Sequence, residues 1–266
     1  MRTKIELSYR NRVLPDLLTR CPACDTDIHG VWFMWSSSSL AIVLAAYNEE
    51  EGIAPTLYEL KEVFAESNLV VVDGKSTDRT IELAKDLGAQ VLIQKGKGKG
   101  NAISEGLARL NGDECYVAFT DADYTYPAKH LKEMIQILDY DSEVGMVLGN
   151  RFSRTYEQES DRNQFYIGNR ILAFTQRVFN GVKLNDPYTG LRIIRYNLLK
   201  GWKPKSDGFD IEAELNNHIT RLGYKIREVP IKYRKRLGKK KLGFRHGLKI
   251  LRRIIIERLS ATIKNA

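Results

Sequence analysis

Cysteine is too scarce here for a disulfide framework, with only 3 in 266 residues. Cys21 and Cys24 form a C-P-A-C half-site with His29 nearby, but no second C-x-x-C follows, and a structural zinc site takes four ligands. Cys115 falls in an apolar run and reads as a small buried hydrophobe. Long apolar runs are absent too: none reaches the roughly 20 residues that span a bilayer. Val31 to Tyr47 comes nearest, and Ser36 to Ser39 interrupt it. It also lacks the cationic start and small-residue cleavage site of a secretory signal. These absences point to a protein of the cytoplasm. Acidic residues are scarce in one place only. Residues 225–266 hold 15 Lys and Arg against 2 Asp and Glu, while the rest of the chain holds 27 against 31. The overall net charge of +9 is therefore a C-terminal property, and such a block attracts nucleic acid, phosphorylated ligands or an anionic membrane face.

What is present is the composition of a globular domain, with 43% hydrophobic and 28% charged residues. Residues 1–39 read as an extension of mixed character, carrying the C-P-A-C motif and the aromatic cluster Trp32-Phe33-Met34-Trp35. From Leu40 a regular alternation begins. Short apolar runs at Leu40–Leu44, Leu69–Val72, Gln90–Ile93, Cys115–Phe119 and Val144–Leu148 read as buried strands. Between them, Glu50–Glu66, a segment capped by Ser76 or Thr77 and stopped by Gly88, Asn101–Leu110, and a stretch starting at Pro127 read as helices. Continuously apolar strands alternating with helices predict a mostly parallel α/β sheet covered on both faces. Ligands of such sheets bind beyond the carboxyl ends of the strands. That rule places Tyr47, Glu49, Asp73, Asp121 and Asp123 on one rim.

Asp121 and Asp123, one residue apart at the end of an apolar run, can offer two carboxylates to one hard cation, Mg²⁺ or Mn²⁺. Acidic residues also follow strands as plain turn formers, so the pair alone leaves both readings open. Lys95 to Gly100 alternates lysine and glycine before a helix. That pattern suits an anion cradle of backbone N–H groups and ammonium groups, Lys99 among them. It matches neither the phosphate-binding loop of nucleotide hydrolases nor the dinucleotide fingerprint, and a solvated loop is the other reading.

The segments L-A-I-V-L-A-A-Y-N-E-E-E-G-I (40–53), V-V-V-D-G-K-S-T-D-R-T (70–80), G-K-G-N-A (98–102) and D-A-D (121–123) resemble, in that order, family 2 glycosyltransferases. G-N-R-F (149–152), D-P-Y-T-G-L-R (186–192), G-F-D-I-E-A-E-L (208–215) and E-V-P-I-K-Y (228–233) look like the dolichyl-phosphate mannose and glucose synthase branch. The resemblance covers about residues 40–242. It implies a Rossmann-like GT-A fold, a nucleotide-sugar donor, a divalent metal held by Asp121 and Asp123, and a polyprenyl phosphate acceptor at a membrane surface. It further implies that Ala45, Tyr47, Glu49, Asp73, Lys99 and Asp121 line the nucleotide site, and that Arg151, Arg170 and Arg234 or Arg236 contact phosphate groups. Asp123 and Asp186 would be the catalytic carboxylates, Asp186 orienting the acceptor or managing charge, or else simply turning the chain before Pro187. Ala45 stands where many relatives have Pro, Gly74 where many have Asp, and Thr125 where many have Gln near the metal.

The implied chemistry is self-consistent. An acceptor phosphate is already an anionic nucleophile near neutral pH, so no strong base is needed, and none of the 4 histidines falls in a motif. The expected function is inverting transfer of mannose from GDP-mannose, with UDP-glucose or UDP-N-acetylglucosamine as alternative donors. A non-catalytic basic nucleic-acid-binding protein and a nucleotidyltransferase are the competing readings. No nucleic-acid module is recognisable, and the acidic rim would repel a phosphate backbone. Membrane contact is expected at a cytoplasmic face, either from the chain itself or from a membrane-anchored partner. Residues 243–266 read as a basic amphipathic helix, with Leu248, Leu251, Ile254, Ile255 and Leu259 on one face and Lys249, Arg252 and Arg253 opposite. Such a helix either lies in the headgroup region or packs on the domain.

Overall fold

The computed structural model describes residues 39–153, 155, 163–239, 241 and 243–264. The C-P-A-C motif and the aromatic cluster lie outside the described residues. Strands β1 (Leu40–Ala46), β2 (Asn68–Asp73), β3 (Gln90–Ile93) and β4 (Tyr116–Asp121) alternate with helices α1 (Glu50–Val63), α2 (Thr80–Asp86) and α3 (Lys99–Leu107). There follow α4 (His130–Tyr140), β5 (Val144–Asn150), α5 (Asn163–Asn180), β6 (Arg192–Arg195), α6 (Ile211–Arg221), β7 (Lys225–Pro230) and α7 (Phe244–Lys264).

The strands form one sheet in the order β3-β2-β1-β4-β6-β5-β7, in which β6 alone runs against its neighbours. The side-chain period of 2 explains why the strands are apolar throughout. Leu40, Ile42 and Leu44 of β1 pack with Ile53, Leu57 and Leu60 of α1 and with Leu131 and Met134 of α4. Ala41 and Val43 point the other way, towards Ala102 and Ile103 of α3 and Ile211 and Leu215 of α6. Both faces are therefore covered, as the continuous runs predict. The chain reverses its direction of travel across the sheet between β1 and β4, the position where ligands of open α/β sheets bind. Register fixes the depth of that crevice: Ala46 pairs with Asp73, and Ala45 pairs with Asp121.

Several expected boundaries shift for local reasons. Helix α2 starts at Thr80, not after a Ser76 or Thr77 cap, because Ser76 is bonded to Asp73 and Thr77 to Asn48. Helix α3 starts at Lys99, and α4 at His130 after a turn at Pro127. Cys115 is half-buried and packs against the core from just before β4. The antiparallel β6 carries no mark in the apolar pattern that separates it from a parallel strand.

Helix α7 packs on the domain, but with a different face from the one its sequence suggests. Ile250 and Ile254 join Tyr188, Ala213 and Leu172, while Arg253 is buried against Asp210 at 3.3 Å. Leu248, Ile255 and Leu259 are left exposed. Arg253, expected on the outer polar side, is thus an inner residue, because Asp210, Glu214 and Glu257 surround it.

Candidate active site

The rim is built by stapling adjacent loops together. The backbone N–H of Asn48 donates to Ser76 Oγ, and the Asn48 side chain accepts from the N–H of Thr77, both at 2.8 Å. Glu49 N–H donates to Thr80 Oγ1 at 2.8 Å. Asp73, fully buried, accepts from the backbone and hydroxyl of Ser76. The loops after β1 and β2 thus hold Tyr47, Glu49 and Asp73 in one rigid group, with the Tyr47 ring about half exposed and available for stacking. Ala45 is half-buried opposite Asp121.

At the end of β4 each carboxylate has its own cation. Lys99 Nζ lies 2.8 Å from Asp121 Oδ1 and also 2.8 Å from Glu212 Oε1 on α6. Burial alone would raise the Asp121 carboxyl, but Lys99, joined by the charges of Arg151 and Arg236, holds the group below the usual range. Asp123 goes the other way: burial and the neighbouring Asp121 charge push it up, against Thr125 and Arg236. Its Oδ1 accepts from the Thr125 N–H and hydroxyl at 3.2 and 2.6 Å, and its Oδ2 from Arg236 at 2.7 Å.

These residues fit a divalent metal. The donors are oxygen only, and the other Asp121 oxygen, Oδ2, accepts no hydrogen bond among the described residues. It faces Gly190, where a Cβ would fall 2.4 Å from that oxygen, so the space depends on glycine. Among the described residues no group of three His, Cys, Asp or Glu forms a ready cage. That agrees with Mg²⁺ chemistry, which typically combines one or two carboxylates with water and substrate phosphates.

The second half of the crevice comes from β5 and from the loop before β6. Arg151 makes a two-pronged pair with fully buried Asp186, both contacts at 2.7 Å, and its backbone N–H donates to the same carboxylate. Glu228 on β7 accepts the backbone N–H groups of Asn185 and Asp186. Buried Arg192 donates to the carbonyls of Pro187 and Thr189. Gly190 N–H donates to the Tyr126 hydroxyl at 2.8 Å. The 185–190 loop is therefore held from four sides, and Asp186 is committed to orienting Arg151.

Not every expected residue reaches this cluster. Arg234 forms a two-pronged pair with Glu59 and covers the Tyr124 ring at 4.2 Å, while Arg236 is the one that meets Glu49 and Asp123. Arg170 lies exposed on α5 without an ion pair among the described residues. The lysine–glycine loop has already used N–H groups that an anion would need. Those of Lys95 and Gly96 go to the Glu105 carboxylate, and those of Gly100 and Asn101 to the Asp207 carbonyl. Only Lys99 of that loop turns into the crevice. Glu212 and Lys241 received no role from the sequence. Glu212 lies inside a quoted motif, but only the fold reveals Lys99 as its partner. Lys241 reaches back 192 residues to Glu49.

Residues 41–202 match the family described as Glycosyl transferase family 2. The dolichyl-phosphate hexose transferase of Haloferax volcanii is 34% identical over 211 residues, covering 78% of this chain and 88% of that protein. Glycosyltransferase AglJ of the same organism is 34% identical over 203 residues, covering 75% of this chain, which spans 64% of AglJ's length. Among solved structures, glucosyl-3-phosphoglycerate synthase from Mycobacterium tuberculosis in complex with uridine diphosphate shares the fold with a TM-score of 0.65 at 22% identity, over 88% of this chain and 86% of that one. The same enzyme in complex with Mn²⁺ and UDP-glucose gives 0.65 at 21% identity, over 85% and 80%. With its carboxylates gathered at the crevice where the sheet reverses, this chain belongs to glycosyl transferase family 2 and is a glycosyltransferase of the GT-A fold.

Proposed function

We propose that this enzyme moves a hexose from a nucleoside diphosphate sugar to a polyprenyl phosphate such as dolichyl phosphate, with inversion at the sugar's anomeric carbon. The observation that carries the reading is the pair of carboxylates Asp121 and Asp123, each matched to a cation at the mouth of β1 and β4. The dolichyl-phosphate hexose transferase relative supports the acceptor class. An acceptor phosphate oxygen attacks the anomeric carbon, the bond to the donor diphosphate breaks, and the electron pair leaves with the nucleoside diphosphate. No proton has to be removed, which suits a site where Asp186 is bound to Arg151 and not free to act as a base.

In this reading Tyr47, Glu49 and Asp73 hold base and ribose. Lys99 keeps Asp121 ionised, and Arg151 and Arg236 offset phosphate charge as the leaving group departs. A divalent metal bound by Asp121 and Asp123 would supply further charge stabilisation to the diphosphate. GDP-mannose is the proposed donor, and Arg170, one turn along α5 from the Tyr166 that packs on Phe152, is the proposed further contact for the acceptor phosphate.

The acceptor's home is a bilayer, and among the described residues no helix is long and apolar enough to cross one. Access is proposed from the surface formed by α5 and α7. Ile167, Ile171, Phe174 and Val178 repeat at helical spacing and are all at least 60% exposed, beside exposed Leu248, Ile255 and Leu259. Helix α5 holds no acidic residue, and the one on α7, Glu257, is buried. An apolar stripe edged by Arg170, Arg177, Arg252 and Arg258 suits an anionic leaflet such as the cytoplasmic one.

The test is a panel of radiolabelled GDP-mannose, UDP-glucose and UDP-N-acetylglucosamine with dolichyl phosphate, Mg²⁺ or Mn²⁺. Labelled lipid should form from GDP-mannose, disappear with chelator, and fall on the order of a hundredfold in Asp123→Ala. No labelled lipid from any donor would overturn the acceptor class, and full activity of Asp123→Ala in chelator would overturn the metal site.

A further inference from the structure

After β7 the chain crosses the mouth of the crevice. Residues 231–239 are pinned by backbone bonds: Arg234 N–H to the Thr125 carbonyl at 3.0 Å and Leu237 N–H to the Asp123 carbonyl at 3.1 Å. From this strap Arg236 donates to Asp123 Oδ2 at 2.7 Å and, through its other terminal nitrogen, to Glu49 Oε1. Lys241 donates to Glu49 Oε1 and to the carbonyl of Asn48. Both carboxylates that the strap holds belong to the donor site. Two polar atoms in this contact remain buried without a hydrogen-bond partner among the described residues, Glu49 Oε2 and Arg236 Nε. A guanidinium with an unused N–H inside a closed crevice is built to accept one more anion.

The Asp123 carboxylate leaves little choice. Its Oδ1 is taken by Thr125, so only Oδ2 can turn to a metal, and there the guanidinium sits at hydrogen-bond distance. A divalent ion and a guanidinium on the same oxygen repel across a few ångströms of low-dielectric space. Displacing Arg236 without giving it another anion leaves a part-buried cation held by Glu49 alone, which is costly. We propose that Arg236 is the resident cation of the metal position. It neutralises Asp123 in the empty enzyme, yields that oxygen only when a divalent ion arrives, and moves onto the donor's diphosphate. The metal therefore binds together with the nucleotide, not ahead of it, and strap 231–239 with Lys241 is the latch that enforces the order. This rests on the donor-site reading above, which supplies the diphosphate.

The experiment is titration of the whole chain with Mn²⁺, followed by the electron paramagnetic resonance signal of the free ion, alone and with UDP or GDP. The wild type should bind Mn²⁺ alone at least about tenfold more weakly than with nucleotide. Arg236→Gln should bind Mn²⁺ alone about tenfold more tightly than wild type and lose most of the nucleotide dependence, in the range of ordinary coupling between sites. Arg236→Lys, which keeps a cation on the strap, should stay weak for Mn²⁺ alone. A second readout needs no variant: saturating Mn²⁺ alone should speed tryptic cleavage after Lys235 and Arg236, and Mn²⁺ with nucleotide should slow it. Arg236→Gln binding Mn²⁺ alone no tighter than wild type, or cleavage indifferent to Mn²⁺, would overturn the latch. Absence of Mn²⁺ binding under every condition, nucleotide included, would instead overturn the metal and donor site on which it rests.

Discussion

His130 shows how one residue's surroundings set a pH limit. It is 4% exposed on α4, and its Nε2 accepts the Lys232 N–H at 3.1 Å, where the chain leaves β7. Burial, with the nearby charges of Lys129 and Arg234, lowers its pKa to about 4, against a smaller opposing pull from Glu59. In the unfolded chain the imidazole titrates near 6.5. Between those values the unfolded chain takes up a proton that the folded one refuses. Stability should therefore fall as pH drops from about 6.5 towards 4, by up to ~3 kcal/mol. Urea melts at pH 7.5 and 4.5 should show a smaller drop in His130→Gln than in wild type, and equal drops would remove His130 as the cause. The Arg151–Asp186 pair makes a different forecast. Asp186→Ala leaves a largely buried guanidinium uncompensated, which costs up to roughly 3 kcal/mol, the low end for a fully buried pair, and Arg151→Met in the same chain should restore part of it. If Asp186→Ala loses activity with an unchanged melt, Asp186 acts on substrate and not through Arg151.

Among the elements, α7 divides its work between two faces. Ile254 is fully buried beside Tyr188 and Ala213, so Ile254→Ala should lower stability by about 2–5 kcal/mol through transfer and cavity terms. Leu248→Ser with Ile255→Ser touches exposed positions and should leave the melt nearly unchanged while weakening binding to anionic vesicles. Loss of stability in that pair, with vesicle binding intact, would mean that the outer face belongs to the fold. The central strands, the helices between them and the rim positions of Tyr47, Asp73, Asp121 and Asp123 were legible because continuous apolar runs and the carboxyl-end rule are local signals. The inner face of α7 was not, since Arg253 reads as a surface cation until Asp210, Glu214 and Glu257 are brought around it. The lysine–glycine loop misled for a related reason: spacing shows free N–H groups, and only the fold shows Glu105 and Asp207 consuming them. Arg236 and Arg234, two residues apart in sequence, were indistinguishable until the strap sent one to Asp123 and the other to Glu59.

For the molecule as a whole, the charge asymmetry read from composition becomes a geometry. The basic C-terminal block supplies both the strap over the crevice at the ends of β1 and β4 and the helix that packs beside α5. Vesicle binding should accordingly weaken with added salt, since each basic residue near an anionic surface contributes about 1 kcal/mol that salt screens, yet persist through the apolar part. Binding to neutral vesicles as strong as to anionic ones would remove the electrostatic share. The one reversed strand has a consequence of its own. Because β6 runs antiparallel between β4 and β5, with Leu148 beside Arg192, the chain leaves the sheet after β5 and returns to it next door, on the same rim. Residues 151–191 are thus an excursion whose two ends meet the sheet side by side, and they carry Arg151, Arg170, Asp186 and the exposed stripe of α5. Such a segment can be lengthened, shortened or exchanged as a cassette without altering the order of the strands. Under the proposed function, acceptor preference can then diversify through the α5 part of this stretch, while Arg151 and Gly190 near its two ends stay with the donor half.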